Sequence, residues 1–173
     1  MDNLINGSIG YFGNVKVTYK LNDKVKTVNI TNSGTNFLFK ALAEHLLSGN
    51  YTLEGKPFPK VAYMTLSADE FGSDNTPELL YDYLNISAVA LQAYEKPSYT
   101  LRVTTSLVRS YLTNECLDRI KSAYDNFYLR LMSDKGEQLA YVKLPLSVLE
   151  AIDTGIQALI QWDLTFTNKI EKY

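Results

Sequence analysis

The 173-residue chain contains one histidine and one cysteine, so the side chains most used as general base and nucleophile occur once each. A Ser-His-Asp or Cys-His site needs an imidazole held as base against its nucleophile. His45 lies in ALAEHLLSG, beside an apolar stripe and near the C-terminal end of a predicted helix, where an imidazole sits favourably toward the dipole. It reads as a structural residue. Cys116, in TNECLDRI, has no second cysteine for a disulfide or a zinc shell. It reads as a small semi-buried apolar residue with no redox role.

The acids are more numerous. Asp69, Glu70, Asp74 and Glu78 lie in the polar loop ADEFGSDNTPE at 68–78, where carboxylates could gather round calcium. The alternating register that defines an EF-hand loop is missing, so no metal is expected. Two carboxylates facing one cleft would suffice for glycoside hydrolysis. Glu115 and Asp118 are close in sequence and Asp163 falls on a predicted strand, but no pattern marks any pair as sharing a cleft. Phosphate loops of the G-x-x-x-x-G-K-S/T type are absent, and the one glycine of NSGTN at 32–36 is a weak anion signal. No catalytic, cofactor-binding or metal residue is assigned.

Aromatics remain as candidates for contact. Thirteen Tyr and seven Phe occur, and aromatics with polar tips are frequent where proteins meet. LLYDYLN at 79–85 places Tyr81 and Tyr83 on one side of an extended segment, and GYFGN at 10–14 presents Tyr11 and Phe12 between glycines. These four are the candidate interface residues. The same residue types also suit half-buried sheet positions. The one tryptophan, Trp162, shares a period-of-two face with Ala158, Ile160, Leu164 and Phe166, opposite Leu159, Gln161, Asp163, Thr165 and Thr167. It is therefore expected in the core and not as a sugar platform.

The elements that must carry these residues are mostly strands. NVKVTYKLNDKVKTVNIT at 14–31 predicts a hairpin turning at LNDK. Its Lys16, Lys20, Lys24 and Lys26 suit an exposed sheet edge. NSGTNFLFKALAEHLLSGN predicts a helix near residues 34–48, capped by Asn32 or Ser33 and stopped at Gly49. A short strand is expected at 61–67. LLYDYLNISAVALQAYE and SYTLRVTTSLVRSYL predict two long strands flanking Lys96-Pro97. A short connecting helix is expected within 113–124, then a strong hairpin, NFYLRLMS and QLAYVKL about DKGE. PLSVLEAIDTG forms a short helix or turn before a closing strand at 156–168. The expected fold is mainly β: an antiparallel β-sandwich, jelly-roll-like, with one α-helix and a short connecting helix. No repeat or linker divides 1–173, so a single domain is expected.

Composition narrows the partners. A net charge of −2 offers no positive field for a phosphate backbone, so nucleic acid is not expected. The amino terminus MDNLINGSIGYFGN has no basic segment leading into an apolar one, and no run approaches a membrane span. Synthesis in a reducing cytoplasm and no membrane partner are expected. The N-x-S/T sequons at Asn6, Asn29, Asn50 and Asn85 carry little meaning in that setting.

Two stretches together, NSGTNFLFKALAEHLLSGNY at 32–51 behind the KVTYKLND hairpin and GIQALIQWDLTFTN at 155–168, resemble small virion structural proteins of tailed bacteriophages, as in phages of gut bacteria. The hairpin NFYLRLMSDKGEQLAYVKL between them has the same look. The resemblance implies a head, neck or tail subunit, made in the host bacterial cytoplasm and incorporated into the virion. Other virion proteins and further copies of the chain, as a homo-oligomer or an array, would be its partners. It carries over no active-site residue. A carbohydrate- or receptor-binding module with a glycan partner is the alternative, and a two-carboxylate hydrolase ranks below both.

Overall fold

A computed structural model of the chain describes residues 6–35, 38, 52–53, 56–57, 60–67, 79–93, 98–122, 127–155 and 157–171. Two antiparallel five-stranded sheets dominate it. The first has the order β2-β1-β12-β9-β8, from strands Asn6–Leu21 (β1), Lys24–Thr31 (β2), Ser87–Ala93 (β8), Ser98–Leu107 (β9) and Ala158–Glu171 (β12). The second has the order β3-β11-β10-β6-β7, from Ser33–Gly34 (β3), Val61–Ser67 (β6), Leu79–Leu84 (β7), Tyr128–Ser133 (β10) and Gln138–Lys143 (β11). A small ribbon pairs Thr52–Leu53 (β4) with Lys56–Pro57 (β5). The mainly β, two-sheet sandwich expected from alternation is the fold.

The turns follow local chemistry. Asn22 and Asp23 both adopt positive φ, 51° and 59°, as a two-residue hairpin turn matching the strand twist requires, and Leu21 pairs with Lys24 across it. Gly136, at φ 83°, closes the β10–β11 hairpin, where Ser133 N–H donates to Glu137 C=O at 2.9 Å. Asp134 ties that loop to the start of β6: its N–H donates to Lys60 C=O, and its Oδ1 accepts from Lys60 N–H at 3.0 Å.

Between the sheets lies one core. The inner face of the first sheet supplies Val15, Val17, Val103, Leu107, Ile160, Trp162 and Leu164, and the second supplies Met64, Leu66, Leu129, Leu131, Ala140 and Val142. Trp162 is 0% exposed and stands in register with Val15 and Val103. The expected parity of β12 is the observed one: Ala158, Ile160, Trp162 and Leu164 are buried, and Phe166 packs against the core. Leu159, on the other face, is half exposed.

Two α-helices and a 3-10 turn, Arg109–Tyr111, are described along their whole length. Asn114–Ser122 (α1) starts where Thr113 Oγ1 accepts the Cys116 N–H at 3.2 Å, an N-cap, and buries Leu117. Leu146–Asp153 (α2) follows Pro145, buries Val148, Leu149, Ala151 and Ile152, and is followed by Gly155 at φ 85°. It packs against β1 and β12, and Tyr19 Oη meets Ser147 Oγ at 2.8 Å. Asp153 joins α2 to α1 through Lys121 at 3.0 Å and to the 3-10 turn before α1 through Arg109 at 3.5 Å.

Three expectations are corrected. The stretch 79–95 is not one long strand: it breaks at Asn85–Ile86, leaving β7 in the second sheet and β8 in the first. Alternation reads which residues share a face, but not a strand's passage from one sheet to the other. The first strand begins well before the hairpin expected at 14–31, because β1 runs from Asn6 through GYFGN and pairs with β12 from Asn6↔Glu171 to Tyr19↔Ala158. The partner's length overrides the local glycine signal. Of the predicted helix near 34–48, Gly34 lies in β3, Thr35 is not helical and Leu38 is helical and buried, while the rest lies outside the described residues. Its proposed caps are displaced: Ser33 is in β3, Asn32 is buried beside Gly13, and Thr35 Oγ1 accepts the Leu38 N–H at 3.3 Å.

Candidate interaction surfaces

The outer face of the first sheet is polar and built in rows. Lys16 of β1, Gln161 of β12, Thr104 of β9 and Ser87 of β8 are successive cross-strand neighbours. Asn14, Asp163, Arg102 and Val89 form the next row. An open groove of about 570 Å³ crosses this face. It is lined by Lys16 and Thr18, by Leu159 and Gln161, by Thr104 to Ser106, and by the crossover Asn85 to Ser87. Hydroxyls and amides line it beside a larger apolar surface, and among the described residues Lys16 is the one ionisable side chain in the lining.

Asp163 lies beside the groove and is engaged elsewhere. Arg102 grips it in a bidentate pair, Nε to Oδ1 at 2.8 Å and Nη2 to Oδ2 at 2.9 Å, while Gln161 Nε2 adds a bond to Oδ2 at 3.1 Å. The hydrogen bond to Asp163 holds the Arg102 guanidinium above its ordinary pKa, against a smaller opposing effect of burial. Three donors on one carboxylate position it as a strut across β9 and β12. Glu115 and Asp118 are exposed on α1 and do not line the groove. The geometry therefore does not bring together the acid pair that sequence left open.

The tyrosines separate. On β7 the four residues from Tyr81 to Leu84 span the three from Leu66 to Met64 on β6, and this bulge breaks the period of two. Tyr81 packs against the core and its ring lies 4.7 Å from that of Tyr111. Tyr83 is 51% exposed and stacks on Tyr63 at 4.9 Å with ring planes 24° apart. The expectation that Tyr81 and Tyr83 share a side is thus corrected, and Tyr63 is the partner that sequence spacing missed. Tyr11 and Phe12 lie in β1 in register with Phe166 and Thr165; their side chains lie outside the described part.

On the second sheet, the face opposite the core buries polar groups. Arg130, 1% exposed, donates from Nε to Ser67 Oγ at 2.8 Å and from Nη1 to Gln138 Oε1 at 2.9 Å. Buried charge is retained where such bonds satisfy it, and this cluster binds β6, β10 and β11 together.

The remaining chemical candidates are placed as follows. Cys116 is half-buried against the core. His45 and the acids Asp69, Glu70, Asp74 and Glu78 lie outside the described residues. Among the described residues no cluster of three or more His, Cys, Asp or Glu side chains could hold a metal ion, and no helix is long and apolar enough to cross a membrane.

Compared with protein-family models, curated proteins and solved structures, the chain finds no match.

One surface escaped sequence reasoning altogether. In β8 the residues Ser87, Ala88, Val89, Ala90 and Leu91 are all exposed, on both alternating faces. The signal is present as SAVALQA, a seven-residue run without charge or proline, but alternation alone joins it to the preceding strand.

Proposed function

We propose that this chain is a non-enzymatic virion structural protein of a tailed bacteriophage that takes part in head, neck or tail assembly through repeated protein-protein contacts. The observation that carries the assembly role is the uncharged edge strand β8, exposed from Ser87 to Leu91, with Val89 at 50% and Leu91 at 36% exposure. Such an edge offers a row of unpaired backbone donors and acceptors to another chain. Asp163, two residues along β12 from Gln161 of the groove, is committed to Arg102, which favours contact chemistry over acid-base chemistry in that groove. The virion setting rests on the resemblance of residues 32–51 and 155–168 to phage structural proteins. Mass spectrometry of purified particles tests it: the chain is expected at stoichiometric copy number, and its absence from particles overturns the reading.

A second reading, a carbohydrate- or receptor-binding module on the virion surface, is favoured by the exposed Tyr63–Tyr83 stack and by the hydroxyl-lined groove. Aromatic faces and convergent polar groups suit a sugar. A glycan array with the purified chain separates the two, since retention that is lost in Tyr83→Ala supports binding and no retention removes it.

A further inference from the structure

We infer that β8 is a homotypic contact: two copies of the chain pair antiparallel through Ser87–Ala93 about a two-fold axis at Ala90, joining their first sheets into one ten-stranded sheet. The inference deepens the assembly reading and names its partner as a second copy. β8 ends the order of its sheet, and among the described residues no strand pairs with its outer side. Ala88 and Ala90 stand in register with Val103 and Leu101, on the side that faces the core, yet both are exposed. The strand thus projects past the region that its own second sheet covers.

Native sheets blunt their edges with charge, proline, bulges or short strands, and the other three edges of this sandwich are blunted. β2 carries Lys24 and Lys26, β3 has two residues, and the β6–β7 pairing shifts register twice. β8 has none of these devices. Its pairing with β9 is continuous from Ser87↔Thr104 to Ala93↔Ser98, so its backbone is regular and presents an unbroken ladder.

The occupant follows from the strand's self-complementarity. Antiparallel pairing about Ala90 sets Val89 of each copy opposite Leu91 of the other, gathering four aliphatic side chains on one face. No charged side chain falls within the pair, whereas self-pairing of β2 would place the Lys24 and Lys26 of both copies in it. A seven-residue strand is only about 23 Å long, and one such edge falls short of the roughly 1,200 Å² of a standard stable interface. The pair is accordingly reversible on dilution, and copies held in an array reinforce it.

Cysteine cross-linking in a Cys116→Ser background tests the register. Across the axis the two Ala90 Cα atoms would lie about 4.5–5.5 Å apart, within disulfide reach. Ala90→Cys should therefore oxidise to a covalent dimer, while Ser87→Cys, whose two copies would lie about 20 Å apart, should not. Sedimentation velocity over a wide concentration range should show a monomer-dimer equilibrium that Val89→Lys abolishes and Val25→Lys, on the opposite edge, preserves. Unchanged Trp162 fluorescence shows that each variant is folded.

Monomer at every concentration, equal cross-linking at positions 87 and 90, or a dimer indifferent to Val89→Lys would each overturn the inference. An edge that instead takes a strand from another protein would overturn the choice of partner. If the chain is abundant in particles but does not self-pair, only the homotypic edge falls. If it self-pairs but is missing from particles, only the virion reading falls.

Discussion

Replacing Gly13 by alanine should destabilise the protein through one neighbour, Asn32. A Cβ at position 13 would lie 1.7 Å from Asn32 Oδ1, 2.4 Å from its Cγ and 2.6 Å from its Nδ2. All three distances are inside the limit that real side chains respect. The Asn32 side chain has little freedom to swing aside, because the residue is 6% exposed and its N–H donates to Gly13 C=O at 3.1 Å. Overpacking of this kind costs about 1–3 kcal/mol, and the closeness of the overlap places Gly13→Ala at the upper end. For a domain of this size that lowers Tm by on the order of 5–10 °C.

Asn32→Ala alone is also expected to destabilise, by about 1–3 kcal/mol, because it leaves a void where a buried side chain packs over Gly13. It also removes the atoms with which the new Cβ collides. In that background Gly13→Ala should be neutral or stabilising by about 0.5–1 kcal/mol, since glycine within a strand carries an entropic cost that alanine avoids. The reversal of sign is the diagnostic. Urea unfolding followed by Trp162 fluorescence measures all four corners of the cycle, with an expected coupling of about 3–4 kcal/mol. An equal loss for Gly13→Ala in both backgrounds would refute the steric account and point to a requirement of β1 itself.

Other expectations follow from the same geometry. Trp162→Ala should cost about 3–5 kcal/mol, and native Trp162 should emit at short wavelength and resist acrylamide, as a core indole 0% exposed must. Trp162→Phe should cost much less, because among the described residues no acceptor meets the buried indole N–H and removing an unsatisfied donor offsets part of the lost volume. Tyr81→Ala, which strips a ring from the core margin and from Tyr111, should lower the urea midpoint clearly, whereas Tyr83→Ala on the surface should shift it little. Arg102→Ala should cost only about 1 kcal/mol, since the Arg102 and Asp163 side chains are 37% and 18% exposed. Arg102→Lys should recover little of that loss, because an ammonium cannot reproduce the two-pronged bond; full recovery in thermal melts would contradict the bidentate assignment.

Several features of this protein were written in local pattern. The period of two in GIQALIQWDLTFTN assigned Trp162 to the core because a half-buried strand must segregate its apolar residues on one side. Asn22-Asp23 and Gly136 marked their turns because few other residues adopt positive φ at low cost. The strand at 61–67 and the helices after Thr113 and Pro145 were legible for the same reason: each is specified by neighbours within one or two turns. Tertiary pairing decided what lay beyond that range. Only β12, 14 residues long, draws the glycine-rich segment 6–13 into β1, and only the crossover at Asn85–Ile86 separates β7 from β8. The bulge that parts Tyr81 from Tyr83 depends on how β6 meets β7, and the commitment of Asp163 depends on Arg102, 61 residues away. Above all, which strand is left as an unguarded edge depends on strand order, which arises from contacts between distant segments and leaves no periodic trace along the chain.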